Sequence, residues 1–183
     1  MGWKDPYSSA DFSKRQSEYA NYLHLNSVYT PQIVVNGRTE FIGSQEGTLR
    51  NAIRTNLQKP AAAQLRLDIG NTDKKQATIK YAAEGTDKNT VLQVAVLQKA
   101  ATTKVERGEN GGRTLSHVQI VRHLQTVALR SESGTVNIAL PVGYDGNNWE
   151  IIGFLQNRTN GAIIAAAKAS LPGNAMAAAT GSM

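Results

Sequence analysis

Apolar and polar positions alternate differently in the two parts of this chain, and the change of period falls near residue 60. In the first part the spacing is helical around a short apolar core. Phe12, Tyr19 and Leu23 recur close to helical spacing, Ala20 and Tyr22 widen the face, and Ser8 followed by Asp11 is a capping-box-like start. A helix is predicted over residues 9–24. Next comes a continuous apolar run, Ile33-Val34-Val35. Asn36-Gly37 follows as the strongest short-range signal for a two-residue type I′ turn, and Thr39, Phe41 and Ile42 return as a second strand. Pro31 precedes this hairpin. A proline cannot donate to a strand ladder, so it belongs at a strand's first position or in a tight turn, and Thr30-Pro31 is a candidate cis bond. Ser44 is a plausible N-cap with Glu46 in the first turn. Leu49, Ala52, Ile53 and Leu57 then fall at i, i+3, i+4 and i+8 before Pro60 closes a second helix.

Beyond the linker-like QKPAAA the period becomes two. Leu65, Leu67 and Ile69 alternate with Arg66 and Asp68, Ala77, Ile79 and Tyr81 with Thr78 and Lys80, and Val136, Ile138 and Leu140 with Asn137 and Ala139. Thr90 to Leu97 is denser in apolar residues. Val118 to Val121, Trp149 to Leu155 and Ala162 to Ala167 are further strand candidates, punctuated by turn clusters at Gly70 to Asp73, Gly85 to Asp87, Gly108 to Gly112 and Gly143 to Asn148. Short strands at this spacing suggest a small antiparallel sandwich. The expected class is α+β. Residues 1–59 form one unit, 60–63 a linker, 64–170 a β-rich domain and 171–183 a loose Ala/Gly-rich tail.

Composition narrows the classes of function. At 183 residues the chain is long enough for one sizeable core or two small ones, and no run approaches the ~18 apolar residues of a membrane helix. The start MGWKDP lacks the basic and apolar regions of an export signal, and Pro6 does not fit a myristoylation signal, so a soluble chain without membrane insertion is expected. The net charge is +6, spread as +2 over residues 1–60 and +4 over 61–183. The densest basic stretch, 99–130, contains no Phe, Tyr or Trp for stacking on bases, which argues for a solvated basic face and against a nucleic-acid partner.

Candidate chemistry is sparse. The run RGENGGR, Arg107 to Arg113, has amides that can cradle an anion, but it lacks the GK[ST] of a phosphate loop and reads as a long hairpin loop. Its functional reading makes Arg107, Glu109, Asn110, Arg113 and the nearby His117 a ligand or interdomain surface. His117 and His123 are six apart, not the i, i+4 spacing of a helical metal pair, and His24 falls where a first-helix C-terminal cation would. No G-x-S-x-G elbow anchors a Ser/His/Asp site. No metal, cofactor or catalytic residue is expected.

Three segments carry a resemblance: GWKDPYSS (Gly2 to Ser9), VYTPQIVVNGR (Val28 to Arg38) and RGENGGRTLSH (Arg107 to His117). Together they resemble the bacterial thioredoxin-like family called domain of unknown function 1223. The order helix, Thr-Pro strand, Asn-Gly turn, strand, helix resembles the C-terminal half of a thioredoxin fold. In such proteins the proline is cis, and the residue before it offers its backbone to an extended peptide that docks as an added strand. By that resemblance Thr30, Pro31 and Gln32 are the substrate-binding residues, the partner is a peptide or protein, and the location is periplasmic or secreted. Family members also carry a Cys-x-x-Cys segment ahead of GWKDP. This sequence has no cysteine, so thiol-disulfide exchange, which needs a thiolate nucleophile and a resolving thiol, is impossible within it. Zero cysteines does not fix the compartment.

Two readings of function follow. The chain is related to an exported thiol-disulfide oxidoreductase whose redox motif is absent from these residues, by truncation or as a natural remnant; or it is a cysteine-free peptide-binding or structural module of the bacterial envelope. In either case the strand Gln32 to Val35 lacks the parallel neighbour of the thioredoxin sheet. An open edge of that kind promotes pairing with another chain, so self-association through it is expected.

Overall fold

The computed structural model describes residues 5–73, 75–108 and 111–169. The predicted tail 171–183, and Glu109 and Asn110 of the Gly-rich run, lie outside the described residues. Among the described residues the architecture is mixed α/β, with two helices and three antiparallel sheets.

Helix α1 (Ala10–Tyr22) is capped one residue later than the capping-box spacing implied. Ser9, in extended conformation, accepts from the Phe12 amide at 3.3 Å, and Ser8 stays outside. The helix ends two residues before His24, which has a φ of +53°. The His24 amide donates to the Asn21 carbonyl at 3.2 Å and the Leu25 amide to that of Ala20 at 2.9 Å, a Schellman closure with His24 at the left-handed position. Strands β1 (Gln32–Val35) and β2 (Thr39–Ile42) form the hairpin, and the Thr30-Pro31 bond is cis. Asn36 and Gly37 both have positive φ, +52° and +66°, as a type I′ geometry requires. The loop is nevertheless three residues long, not two, because Val35 pairs with Thr39 and leaves Arg38 unopposed. Helix α2 (Glu46–Leu57) has Gln45, not Ser44, at its N-cap, with no side-chain cap bond.

The alternating segments become strands in two larger sheets. In the first, β3 (Gln64–Thr72) pairs with β4 (Gln76–Glu84), and β4 with β7 (Ser133–Ala139). In the second the order is β6-β5-β8-β9: β5 (Thr90–Lys104), β6 (Thr114–Ala128), β8 (Trp149–Asn157) and β9 (Ile163–Lys168). Strand β3 continues through Gly70 to Thr72, so the turn expected there shortens to its last residue, Asp73, whose carboxylate accepts from the amides of Lys75 and Gln76 at 2.6 and 2.8 Å. Strands β5 and β6 are far longer than their apolar cores. The ladder carries on through polar pairs such as Thr102 opposite Ser116, because main-chain bonds ask nothing of the side chain.

Inward residues of the two sheets share one apolar cluster. Leu67, Ile79, Leu92, Val94, Val96, Ile138, Ile151 and Leu155 are its most deeply buried members, and each large side chain contributes about 1.5–3 kcal/mol by leaving water. Alternation turns the neighbouring residues of the four-stranded sheet, Gln93, Ala95, Ile152, Phe154 and Gln156, to its other face. There the α1 layer lies against it. Gln156, buried, accepts from Arg15 at 3.2 Å and donates to the Tyr19 hydroxyl at 3.0 Å and to the Gly161 carbonyl at 2.8 Å. The hairpin tip is fastened to the same place, where the Ile163 amide donates to the Asn36 carbonyl at 2.9 Å. Double coverage explains why Thr90 to Leu97 reads as nearly continuous apolar sequence.

Candidate functional site

A cleft opens where α1 leaves the four-stranded sheet, and Tyr7, Phe12 and Arg15 form a wall shared by its three lobes. Phe12 and Arg15 belong to the inward stripe of α1, which continues through Gln16, Tyr19 and Ala20 at helical spacing. Tyr7 sits just ahead of the cap. Its ring meets His117 edge-on at a centroid separation of 5.0 Å, Arg122 lies 5.3 Å from its centroid, and its hydroxyl accepts from Thr103 at 3.2 Å.

The first lobe, about 390 Å³, runs between α1 and β1 and is lined on the strand side by Thr30, Gln32 and Val34. These alternate residues point to one face. The register fixes the backbone as well: Pro31 accepts from the Gly43 amide at 2.9 Å and Val35 from Arg38 at 3.1 Å, so odd-numbered residues bond toward β2. The N–H and C=O groups of Gln32 and Val34 therefore point to the other edge, which has no partner strand among the described residues. The next outward carbonyl, that of Asn36, is the one taken by Ile163. Side chains around the lobe hold each other in place. Gln16 donates to the Tyr29 carbonyl at 2.8 Å, and Gln32 to the Glu40 carboxylate at 3.0 Å. The Tyr29 hydroxyl also donates to Glu40, and that bond raises the Tyr29 pKa above the usual phenol value. A continuous apolar run such as Ile33-Val34-Val35 points to a strand buried on both faces, yet all four β1 side chains are only half-buried, because the groove beside them is open.

The second lobe, about 470 Å³, is polar and charged, with Asp11, Lys14, Glu18, Arg122 and His123 among its lining. The Nε2 atoms of His117 and His123 are buried with no hydrogen-bond partner among the described residues. The third, about 300 Å³, is apolar and penetrates between Phe12 and the outer face of the sheet. No group of three or more His, Asp or Glu side chains placed to hold a metal occurs among the described residues.

The residues singled out in the sequence are divided by this geometry. Thr30 and Gln32 line the first lobe, and Pro31 lies between them at the strand's mouth. His117 joins the cleft only through the Tyr7 ring. Arg107 and Arg113 sit at the far end of the β5–β6 ribbon, where Val105 and Arg113 bond through their main chains at 2.9 Å, and neither lines any of the three lobes. Tyr7, Phe12, Arg15 and Gln156 were not singled out for the site. Tyr7 was legible as part of GWKDPYSS and the others only as a helix face and a strand position.

No helix among the described residues is long and apolar enough to cross a membrane. No curated protein matches the chain. A crystal structure of a protein from Agrobacterium tumefaciens is similar over 92% of this chain and 73% of its own, with a TM-score of 0.64 and 22% identity, and so shares the fold. A domain of the outer membrane lipoprotein Omp28 from Porphyromonas gingivalis is similar over 62% of this chain and 90% of its own, at a TM-score of 0.42 and 10% identity, a likeness too slight to argue from. Residues 1–156 match the family model described as Protein of unknown function (DUF1223), and the chain belongs to that family.

Proposed function

We propose that this chain is a thioredoxin-like, cysteine-free peptide-binding module of the bacterial envelope, taking an extended segment of a partner as an added strand on the free edge of β1. The observation that carries this reading is the pair of outward-facing backbone units at Gln32 and Val34, open beside a groove that Thr30, Gln32 and Val34 line. Main-chain bonds to an edge supply affinity without demanding a particular sequence, and side chains dropped into the groove supply preference. The order helix, strand, hairpin strand, helix supports the thioredoxin-like part, and the family resemblance supports a periplasmic or secreted location. With no cysteine in the sequence, binding proceeds without exchange. A second copy of the chain is the competing occupant of the same edge.

Fluorescence anisotropy with labelled nine-residue peptides tests this. Binding is expected to be indifferent to dithiothreitol and iodoacetamide. Val34→Pro, which removes one outward amide and leaves the odd-numbered ladder to β2 alone, is expected to weaken binding about three- to tenfold, the worth of one hydrogen bond, while Val34→Ala retains it. Equal binding by Val34→Pro, with its circular dichroism unchanged, would place the peptide elsewhere.

A further inference from the structure

The apolar lobe beside the β1 groove has no role in strand addition itself. It lies between α1 and the outer face of the four-stranded sheet, where a filled interface would bury every apolar group. Phe12, Ile120, Leu124, Ile152 and Phe154 nevertheless all remain partly exposed around a space of about 300 Å³, floored by the buried Ala95. Its one ionic neighbour is already engaged: the Arg15 guanidinium donates to Tyr19 at 3.0 Å and Gln156 at 3.2 Å, and lies 5.4 Å from the Phe154 ring centroid. Nothing in the lining offers a spare charge to a polar ligand, so an apolar group that displaces water from this lobe is the favoured guest. The lobe also shares the walls Tyr7, Phe12 and Arg15 with the groove along β1, so the two adjoin.

We propose that this chamber is the specificity pocket of the peptide site, receiving one large apolar side chain, aromatic or leucine-sized, from the segment paired with β1. The proposal rests on the strand-addition reading and names the ligand class it selects: extended peptides with a bulky apolar residue among small or polar ones. Successive side chains of an added strand point to opposite faces, so one residue in two is directed to the α1 side and a single anchor suffices.

Two measurements with distinct readouts test it. Methyl NMR of the full chain titrated with toluene examines the chamber alone. The methyl signals of Ala95, Ile120 and Ile152 are expected to shift saturably while that of the fully exposed Val142 stays fixed, and uniform or absent shifts would overturn the chamber. The second compares the labelled peptides KSTSFSTSK and KSTSSSTSK by anisotropy and amide exchange. The Phe peptide is expected to bind about tenfold tighter or more, with the preference lost in Ile120→Trp, whose indole fills the space. Equal affinities with Gln32 and Val34 protected by both peptides would overturn the chamber and leave strand addition standing. A Phe peptide that binds without protecting those amides, or a chain whose edge is protected only by its own concentration, would overturn the strand-addition reading and with it the peptide subsite.

Discussion

Gly37, at the tip of the first hairpin, lies against Gly161 in the turn between β8 and β9, so close that a β-carbon on Gly37 would stand 1.9 Å from the Gly161 carbonyl oxygen. The hairpin is docked on the sandwich through bare backbone at this point. Gly37 also has a φ of +66°, which costs an L-residue about 1–2 kcal/mol before any clash. Gly37→Ala is therefore expected to lower unfolding stability by about 3 kcal/mol, read from the urea midpoint. Gly47, in α2 with nothing near its missing β-carbon, is the control: Gly47→Ala is expected to raise stability by about 0.5–1 kcal/mol. Equal effects of the two would mean that the hairpin does not sit on the β8–β9 turn.

The second attachment runs through Gln156, whose amide joins Arg15, Tyr19 and Gly161 at the base of the cleft. Gln156→Leu keeps the volume and removes all three bonds from a site only 4% exposed, leaving the Gly161 carbonyl without that donor. A loss of about 1–3 kcal/mol is expected, against about 1 kcal/mol for Tyr19→Phe, which leaves the Gly161 bond in place. A neutral Gln156→Leu in thermal unfolding would remove the network from the account of how α1 is held.

Acid sensitivity is expected to trace in part to Glu150. Its carboxylate pairs with Lys168 across β8 and β9 at 2.5 Å, and that bond holds its pKa below the ordinary carboxylate value. Because the folded-state pKa is the lower one, the stabilisation is complete above the unfolded-state range and is lost as pH falls through the folded-state value. Glu150→Gln should flatten the stability profile below about pH 5, where unpaired carboxylates begin to protonate, and shift it little at pH 7 in slope. Parallel profiles for the two proteins between pH 3 and 6 would contradict this.

What was legible in the sequence was local. The β3, β4 and β7 patterns and the type I′ dihedrals at Asn36-Gly37 follow from alternation and from the left-handed conformations those residues tolerate. The extent of β5 and β6 was not, because their outer halves, with residues such as Thr102, Thr103 and Ser116, are held by the ladder and not by burial. The Leu49, Ala52, Ile53, Leu57 stripe of α2 shows the opposite failure: the periodicity is real, yet no residue of the helix is buried and Leu57 is 80% exposed. The cleft was half legible. Thr30 and Gln32 announced themselves through Pro31, whereas Arg15 meets Gln156 across 141 residues, a contact that no local pattern encodes.

The central claim is that Gln32 and Val34 present an open edge to a partner strand, and residue-resolved amide exchange reads it directly. In dilute protein the amides of Ile33 and Val35, bonded to β2, should exchange slowly and those of Gln32 and Val34 fast. With a saturating peptide, Gln32 and Val34 should slow at least tenfold while Ile33 and Val35 change little. Slow exchange at Gln32 and Val34 in the free, monomeric chain, or no protection from any peptide that binds, would contradict the account.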